Sequence, residues 1–338
     1  MLRVFRLLGS RLRVGVAALV AVVAVVAVTA CGSDSDDAPA ATTADGRPDL
    51  SRVTLRVADQ VGQLKALLEA SGVLADVPYK IEWSDFSAAA PLLQALRAGA
   101  ADIGQAGDAP ILNALGAGAP LKVVGAARTS PKGVAILVPK DSPIRTVADL
   151  RGRTVSPSTE GSIGHYLLLG ALKEAGLTPD DLTISFLAPP AASAAFDARQ
   201  IDAWVTWDPY VALAERKGAR IVRDGEGINS GLGFVVATED AVENAGTKAA
   251  IADFLTRQRN AFIWSNQHQG EFSKIFASLT KLPEPVALDV LKRRQWSAPP
   301  IDDQIVSQFQ KSADVYAEAG VLEKKLDVKP FFVRSLTS

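Results

Sequence analysis

Gly133-Val134-Ala135-Ile136-Leu137-Val138 decides the architecture, read together with the later run Gly233-Phe234-Val235-Val236-Ala237 of the same apolar character. Around these two runs the chain alternates short apolar strands with amphipathic helices. Upstream, strands are predicted at 53–58, 80–83, 102–104 and 121–124, with helices at 64–70, 90–98 and from Pro110. Between the runs, strands fall at 154–155, 183–186, 203–205 and 221–222. Alternation of this kind with short connections predicts parallel sheets flanked by helices. The two runs then read as crossover strands, by which the chain leaves one lobe near 133 and returns to it near 235. Beyond Glu239 the pattern is helical, with amphipathic segments at 248–265, 271–279, 286–293 and 302–319. The expected fold class is therefore α/β and two-lobed, with a helical C-terminal tail. Lobe 1 takes residues 52–132 and 235–338, and lobe 2 takes 133–234.

The N-terminus does not belong to that body. Arg3, Arg6, Arg11 and Arg13 precede an apolar run from Val14 to Val28, then Thr29-Ala30-Cys31 and the polar, acidic stretch 32–37. A basic start, an apolar middle and a small residue before the cut describe an export signal over residues 1–30. Its ending resembles a bacterial lipobox, which would make Cys31 the acylated first residue of the mature protein. Buried acyl methylenes contribute about 0.8 kcal/mol each, so multiple acylation anchors firmly. The alternative is an uncleaved anchor, and its 17 residues from Val14 to Ala30 lie at the short limit of about 17–25 for a spanning helix. Either reading places the body outside the cytoplasm and at a membrane. Residues 31–51, built of Gly, Ser, Asp, Ala, Pro and Thr, read as a lipidated flexible tether.

Removing the signal takes four of the 36 Lys and Arg and none of the 37 Asp and Glu, leaving a weakly acidic chain. That balance and the absence of a basic stripe argue against nucleic acid as a partner. Cys31 is the only cysteine, so the body has no disulfide and must be held by packing.

Four stretches carry a family resemblance. The first runs from Leu93 to Gly104 and on to Gly107-Asp108-Ala109-Pro110. Ser142 to Gly152 followed by Glu160-Gly161-Ser162 forms the second. The third is Ile201-Asp202-Ala203-Trp204-Val205-Thr206-Trp207-Asp208-Pro209-Tyr210, and the fourth runs from Asp224-Gly225 to Gly233-Phe234. Together they resemble the substrate-binding proteins of aliphatic sulfonate and taurine ABC importers, from about Val53 to at least Ala237. The resemblance implies a periplasmic-binding-protein-like fold (type II), with a small anionic organosulfonate held between the lobes. It also implies a permease with its ATPase as partners, a monomer and no cofactor. Nitrate, a thiamine precursor or another sulfur ester are the alternatives within the same class. A desulfinase-like enzyme on this fold is disfavoured, because no cysteine follows Cys31 to act as a thiolate.

The candidate ligand-binding residues fall between predicted strand ends and helix starts, where ligands of open α/β sheets bind. Gly161 and Ser162 open the longest helix of lobe 2, offering free N–H groups, while the Thr159 and Ser162 hydroxyls can donate further bonds. An ordinary N-cap by Ser162 competes with that role. Asp108 reads as an N-cap with Pro110 in the first turn, and the resemblance places the Gly107 and Asp108 backbone in the cleft. By the same resemblance Gln60 corresponds to a ligand-facing polar residue. Trp207 is placed to pack on a ligand tail, and Trp204 to enter the core. Asp208 caps a helix before Pro209 or, for a ligand with an amine, supplies the counter-charge. Arg128, beside the crossover, is either a solvated hinge residue or a positive contact. His165, one turn into the ligand-facing helix, is placed like a histidine of sulfonate binders and is expected to support packing or the cap. His268 is expected at the surface. No His-Glu-x-x-His motif or cysteine cluster points to a metal. A sulfonate is always ionised, so the expected cradle is made of neutral N–H and O–H donors, with carboxylates aimed elsewhere.

Overall fold

A computed structural model describes residues 48–336 apart from Ala319, Val321 and Glu323. The expected signal, Cys31 and the tether up to residue 47 lie outside the described residues. Leu50, inside the expected tether, already packs against the body.

The chain begins with β1 (Thr54–Gln60), α1 (Gln63–Ala70), β2 (Lys80–Phe86), α2 (Ala89–Arg97), β3 (Ile103–Gly107), α3 (Asp108–Gly116) and β4 (Leu121–Arg128). There follow β5 (Val134–Val138), β6 (Thr154–Ser156), α4 (Ile163–Glu174), β7 (Thr183–Ile184), α5 (Pro189–Asp197), β8 (Ala203–Trp207), α6 (Tyr210–Arg216) and β9 (Arg220–Asp224). β10 (Leu232–Thr238) then leads into α7 (Glu239–Glu243), α8 (Ala245–Gln267), α9 (Gln269–Thr280), α10 (Glu284–Arg294) and α11 (Asp303–Glu318).

These strands form two sheets, ordered β2-β1-β3-β10-β4 and β7-β6-β8-β5-β9. Both sheets are mixed, where the alternation predicted parallel ones. β10 runs antiparallel to β3 and β4, and β5 antiparallel to β8 and β9. These are the two apolar runs read as crossover strands. A chain that crosses directly from the carboxyl edge of one sheet enters the other at its carboxyl edge, so it must run against its new neighbours. The carboxyl ends of both sheets therefore face one another across the crossing. The two crossing segments lie side by side: Thr129 N–H donates to Gly231 O at 2.9 Å, and Gly225 N–H to Val134 O at 2.9 Å. Gly231 has φ +68° and turns against the Thr129 carbonyl, a close approach that a side chain would block.

Each sheet buries both faces under helices, as continuous apolar strands require. One face of the first sheet packs on α1 and the α8–α10 layer through Phe254, Phe262, Phe272 and Phe276. The other packs on α2, α3 and α11 through Phe234, Phe309 and Tyr316. In the second sheet α4 covers one face, and α5 and α6 cover the other around Trp204.

The helical tail reaches beyond the first sheet. Tyr316 of α11 donates its hydroxyl to Ser162 O at 3.0 Å and stacks on Tyr166 of α4 with centroids 5.0 Å apart. On the opposite flank Arg293 of α10 pairs with Glu215, and Asp289 with Arg216 of α6.

Candidate functional site

Between the facing carboxyl ends lies a cavity of about 380 Å³, whose exposed wall is mostly apolar. That volume falls within the range of about 300–1,000 Å³ usual for small-molecule sites. Gln60, Gly107 and Asp108 line it from the first sheet, and Thr159, Trp207 and Asp208 from the second. Gly161 and Ser162 also border it, whereas Arg128 and His165 do not.

Several of these residues are held by contacts the sequence did not show. Gln60 donates its amide to Gln105 O at 2.8 Å. Asp108 is the first residue of α3 rather than its N-cap, which is Gly107. Its buried carboxylate accepts from the Ala109 N–H and from the Ser230 and Ser312 hydroxyls at 2.6 and 2.9 Å. Burial pushes that carboxyl up, and the two hydroxyls oppose the shift. Ser162 is the N-cap of α4: its hydroxyl accepts from His165 N–H and donates to Pro157 O at 3.0 Å. That proton is committed within the protein, so the hydroxyl cannot also donate it to a ligand. Gly161 N–H likewise donates to His165 Nδ1 at 3.1 Å, and burial lowers the His165 pKa to about 4. His165 thus steadies this turn as a neutral acceptor. The Thr159 hydroxyl has no hydrogen bond among the described residues.

The spaces beside the two glycines are taken by side chains from across the cleft. A Cβ at Gly107 would lie 2.5 Å from Ile163 Cγ2, and one at Gly161 would meet the Asn113 amide. Arg128 is turned away, donating to Gln308 Oε1 at 2.7 Å and to Ser230 O at 3.4 Å. It ties α11 to the crossing segment. Asp208 accepts from Ala212 N–H at 3.2 Å and lies 3.6 Å from the Arg293 guanidinium, so its charge is already matched. Trp207 stands edge-on to Tyr210, with centroids 6.4 Å apart.

Arg294 departs from the expected neutral cradle. Its guanidinium lines the cavity and has no hydrogen bond or ion pair among the described residues. The guanidinium carbon lies 5.1 Å from the centre of the Trp296 ring, which stacks on Phe262 at 4.5 Å. Asn266 clamps the Trp296 backbone, accepting from its N–H at 3.1 Å and donating to its carbonyl at 2.7 Å. Arg294 O in turn accepts from Ser130 N–H in the crossing segment at 2.9 Å. A cation over an aromatic face, lacking a partner among the described residues and set in an apolar cleft, has the chemistry to attract an anion.

The surrounding charges tune it. Burial lowers the Arg294 pKa to about 10, against the pull of Asp208 and Asp59. Asp59 accepts backbone N–H groups of Gln60, Leu64 and Lys65, yet burial still raises its pKa to about 6. Burial raises Asp208 to about 6 as well, with Arg293 opposing. An anion bound beside these carboxyls favours their protonated forms, so binding and protonation are linked. Affinity for an anion that does not titrate is expected to rise up to about tenfold as pH falls from 7.5 to 5. Calorimetric titration at each pH checks this, and a flat profile contradicts it. For folding the sign is that of a raised carboxyl. Its contribution is full below the unfolded value of about 4 and is lost as pH rises through about 6.

Comparison with known proteins places this arrangement. Residues 60–275 match the NMT1-like family. A protein of Escherichia coli strain K12 named for aliphatic sulfonate binding is 34% identical, over 86% of this chain and 90% of its own length. The alkanesulfonate-binding protein SsuA from Xanthomonas axonopodis pv. citri, solved bound to MOPS, superposes with a TM-score of 0.78 at 33% identity. That match covers 86% of this chain and 99% of the other. The desulfurization enzyme DszB shares the fold alone, with a TM-score of 0.65 at 17% identity over 85% and 98% of the two chains. The two facing sheets are those of the periplasmic binding proteins, and the chain belongs to the NMT1-like family, alongside its aliphatic sulfonate-binding proteins.

Proposed function

We propose that this chain is the extracytoplasmic solute-binding component of an ABC importer, that it takes alkanesulfonates into the cavity between its sheets, and that it is not an enzyme. The observation that carries the reading is the unpaired Arg294 guanidinium in a mostly apolar cleft. The ligand has to offer a negative charge and a body that tolerates apolar walls, and a sulfonate, ionised at every physiological pH, offers both. The binding proteins named above support the reading. Head-group contacts are assigned to Arg294, the Thr159 hydroxyl and Gln60, with backbone at Gly107 and Asp108 contributing where the cleft parts, while Gly161 and Ser162 border the ligand and shape its cradle through the turn that His165 steadies. Trp207 borders the ligand body, and Asp208 acts by holding Arg293 and α6.

Residues 52–132 with 235–338, and residues 133–234, act in this proposal as two lobes. They hinge at the paired crossing segments, and bound ligand favours closure by bridging them. The liganded protein is handed to a permease with its ATPase, as a monomer tethered through acylated Cys31. Mass spectrometry of membrane-extracted protein tests the acylation. Calorimetric titration against ethanesulfonate, taurine, sulfate and nitrate tests the ligand class. Saturable binding of a sulfonate is expected, and nitrate bound more tightly than every sulfonate would reverse the assignment. Turnover of any of these compounds would favour an enzyme.

A further inference from the structure

α11 holds both sides of the cleft. Ser312, on its buried face, donates to the carboxylate of Asp108, the first residue of α3. One turn further on, Tyr316 reaches across to α4, donating its hydroxyl to Ser162 O at 3.0 Å and stacking its ring on Tyr166. The two residues lie four apart and so share a face of the helix. That face therefore ties together the starts of α3 and α4, which border the cavity from opposite sheets. The contact with α4 is dry. Tyr316 is 0% and Tyr166 6% exposed, and Tyr166 belongs to the core of the first sheet although its helix covers the second. Burial, and then the Asp108 carboxylate, raise the pKa of both phenols, so each stays a donor. Ser162 O already accepts the Tyr166 N–H within α4 at 3.0 Å, so the bond from Tyr316 is not needed to satisfy that carbonyl. Its effect is to hold α4 to α11.

We propose that Tyr316 is a positioning residue of the binding site, a latch that holds the cleft in its gripping form without touching the ligand. The proposal rests on the sulfonate reading and the hinging lobes above. Opening at the crossing segments carries α11 with the first sheet and α4 with the second, so the bond from Tyr316 to Ser162 O breaks as ligand leaves. Tyr316 does not line the cavity. Removing its hydroxyl therefore leaves the ligand's own contacts in place and acts on how readily the cleft opens.

Tyr316→Phe in the full protein tests this, because it keeps the ring and its stack and strands no buried acceptor. Ethanesulfonate release is followed by stopped-flow dilution through the fluorescence of Trp207 and Trp296, which line the cavity. Dissociation is expected to speed up about three- to tenfold, the span of one lost hydrogen bond, with the association rate changed less than twofold. Tyr79→Phe is the comparison, since the buried Tyr79 hydroxyl donates to Asp253 at 3.0 Å within the first lobe and away from the cleft. It is expected to lower the urea midpoint while leaving dissociation within twofold of the unaltered protein. A Tyr316→Phe protein that loses stability but releases ligand at the unaltered rate would overturn the latch, as would equal acceleration in both variants. Failure of every sulfonate to bind the unaltered protein would instead remove the reading beneath the latch, and the latch with it.

Discussion

Arg294→Gln is expected to weaken ethanesulfonate binding by about a hundredfold or more, roughly 3 kcal/mol, because it removes a cleft cation that has no partner among the described residues and is set beside the Trp296 ring. The same change should leave the fold as stable as before, or more so. Burial already lowers the Arg294 pKa to about 10, so the folded state holds that charge at a cost. Glutamine keeps a donor and part of the stem while releasing that penalty. Loss of binding together with retained or gained stability is the pattern of a residue kept for function. Titration with ethanesulfonate and urea unfolding of the same variant separate the two effects. Affinity near that of the unaltered protein would show that Arg294 is not the anchor. A large loss of stability would show that it serves the fold.

Trp204→Ala carries the largest expected effect on stability, about 3–5 kcal/mol for a fully buried indole. Trp204 is 1% exposed, lies between Phe196 and Tyr210, and donates its Nε1–H to Ser158 Oγ at 3.2 Å. Ser158 holds φ +65°, unusual for a non-glycine residue, and passes its own hydroxyl proton to Val205 O at 2.9 Å. This chain of bonds fixes the turn that leads into Thr159, Gly161 and Ser162. The substitution should therefore lower the urea midpoint and loosen that turn together. Trp204→Phe, which keeps a ring but loses the donor, should cost less, about 1–2 kcal/mol. An unfolding midpoint unchanged in Trp204→Ala would contradict the packing account.

The architecture was legible because apolar strands of both sheets carry their signal locally. The two runs at 134–138 and 233–237 stand out for being apolar on every residue, and each lies at an interior position of its sheet. Their antiparallel direction was not legible, since composition says nothing of strand direction; it follows from crossing between facing carboxyl edges. The site was legible to the same depth. Gln60, Gly107, Thr159 and Trp207 were singled out at strand tips and helix starts, which short windows reveal, with the resemblance aiming Gln60 and Gly107 at the cleft, and all four line the cavity.

What escaped depends on distant partners. Ser230 and Ser312 come from β10's approach and from α11 to hold Asp108, and Gln308 draws Arg128 away from the cleft. Arg294 had no signal of its own. Lys292, Arg293 and Arg294 at the end of α10 read as ordinary charges matched to a helix terminus. Gln295, at φ 44°, turns the chain there and lets Trp296 come under the guanidinium. Arg294 adds a charge to the expected cradle of neutral donors, which was drawn only from strand-to-helix turns.

A crystal of the protein with 2-bromoethanesulfonate would locate the ligand by the anomalous scattering of bromine. The account predicts sulfonate oxygens about 2.7–3.2 Å from the Arg294 guanidinium, inside the cavity, with bromine directed along the apolar wall. A bromine peak outside the cleft, or a sulfonate bound there with Arg294 turned to solvent, would contradict it.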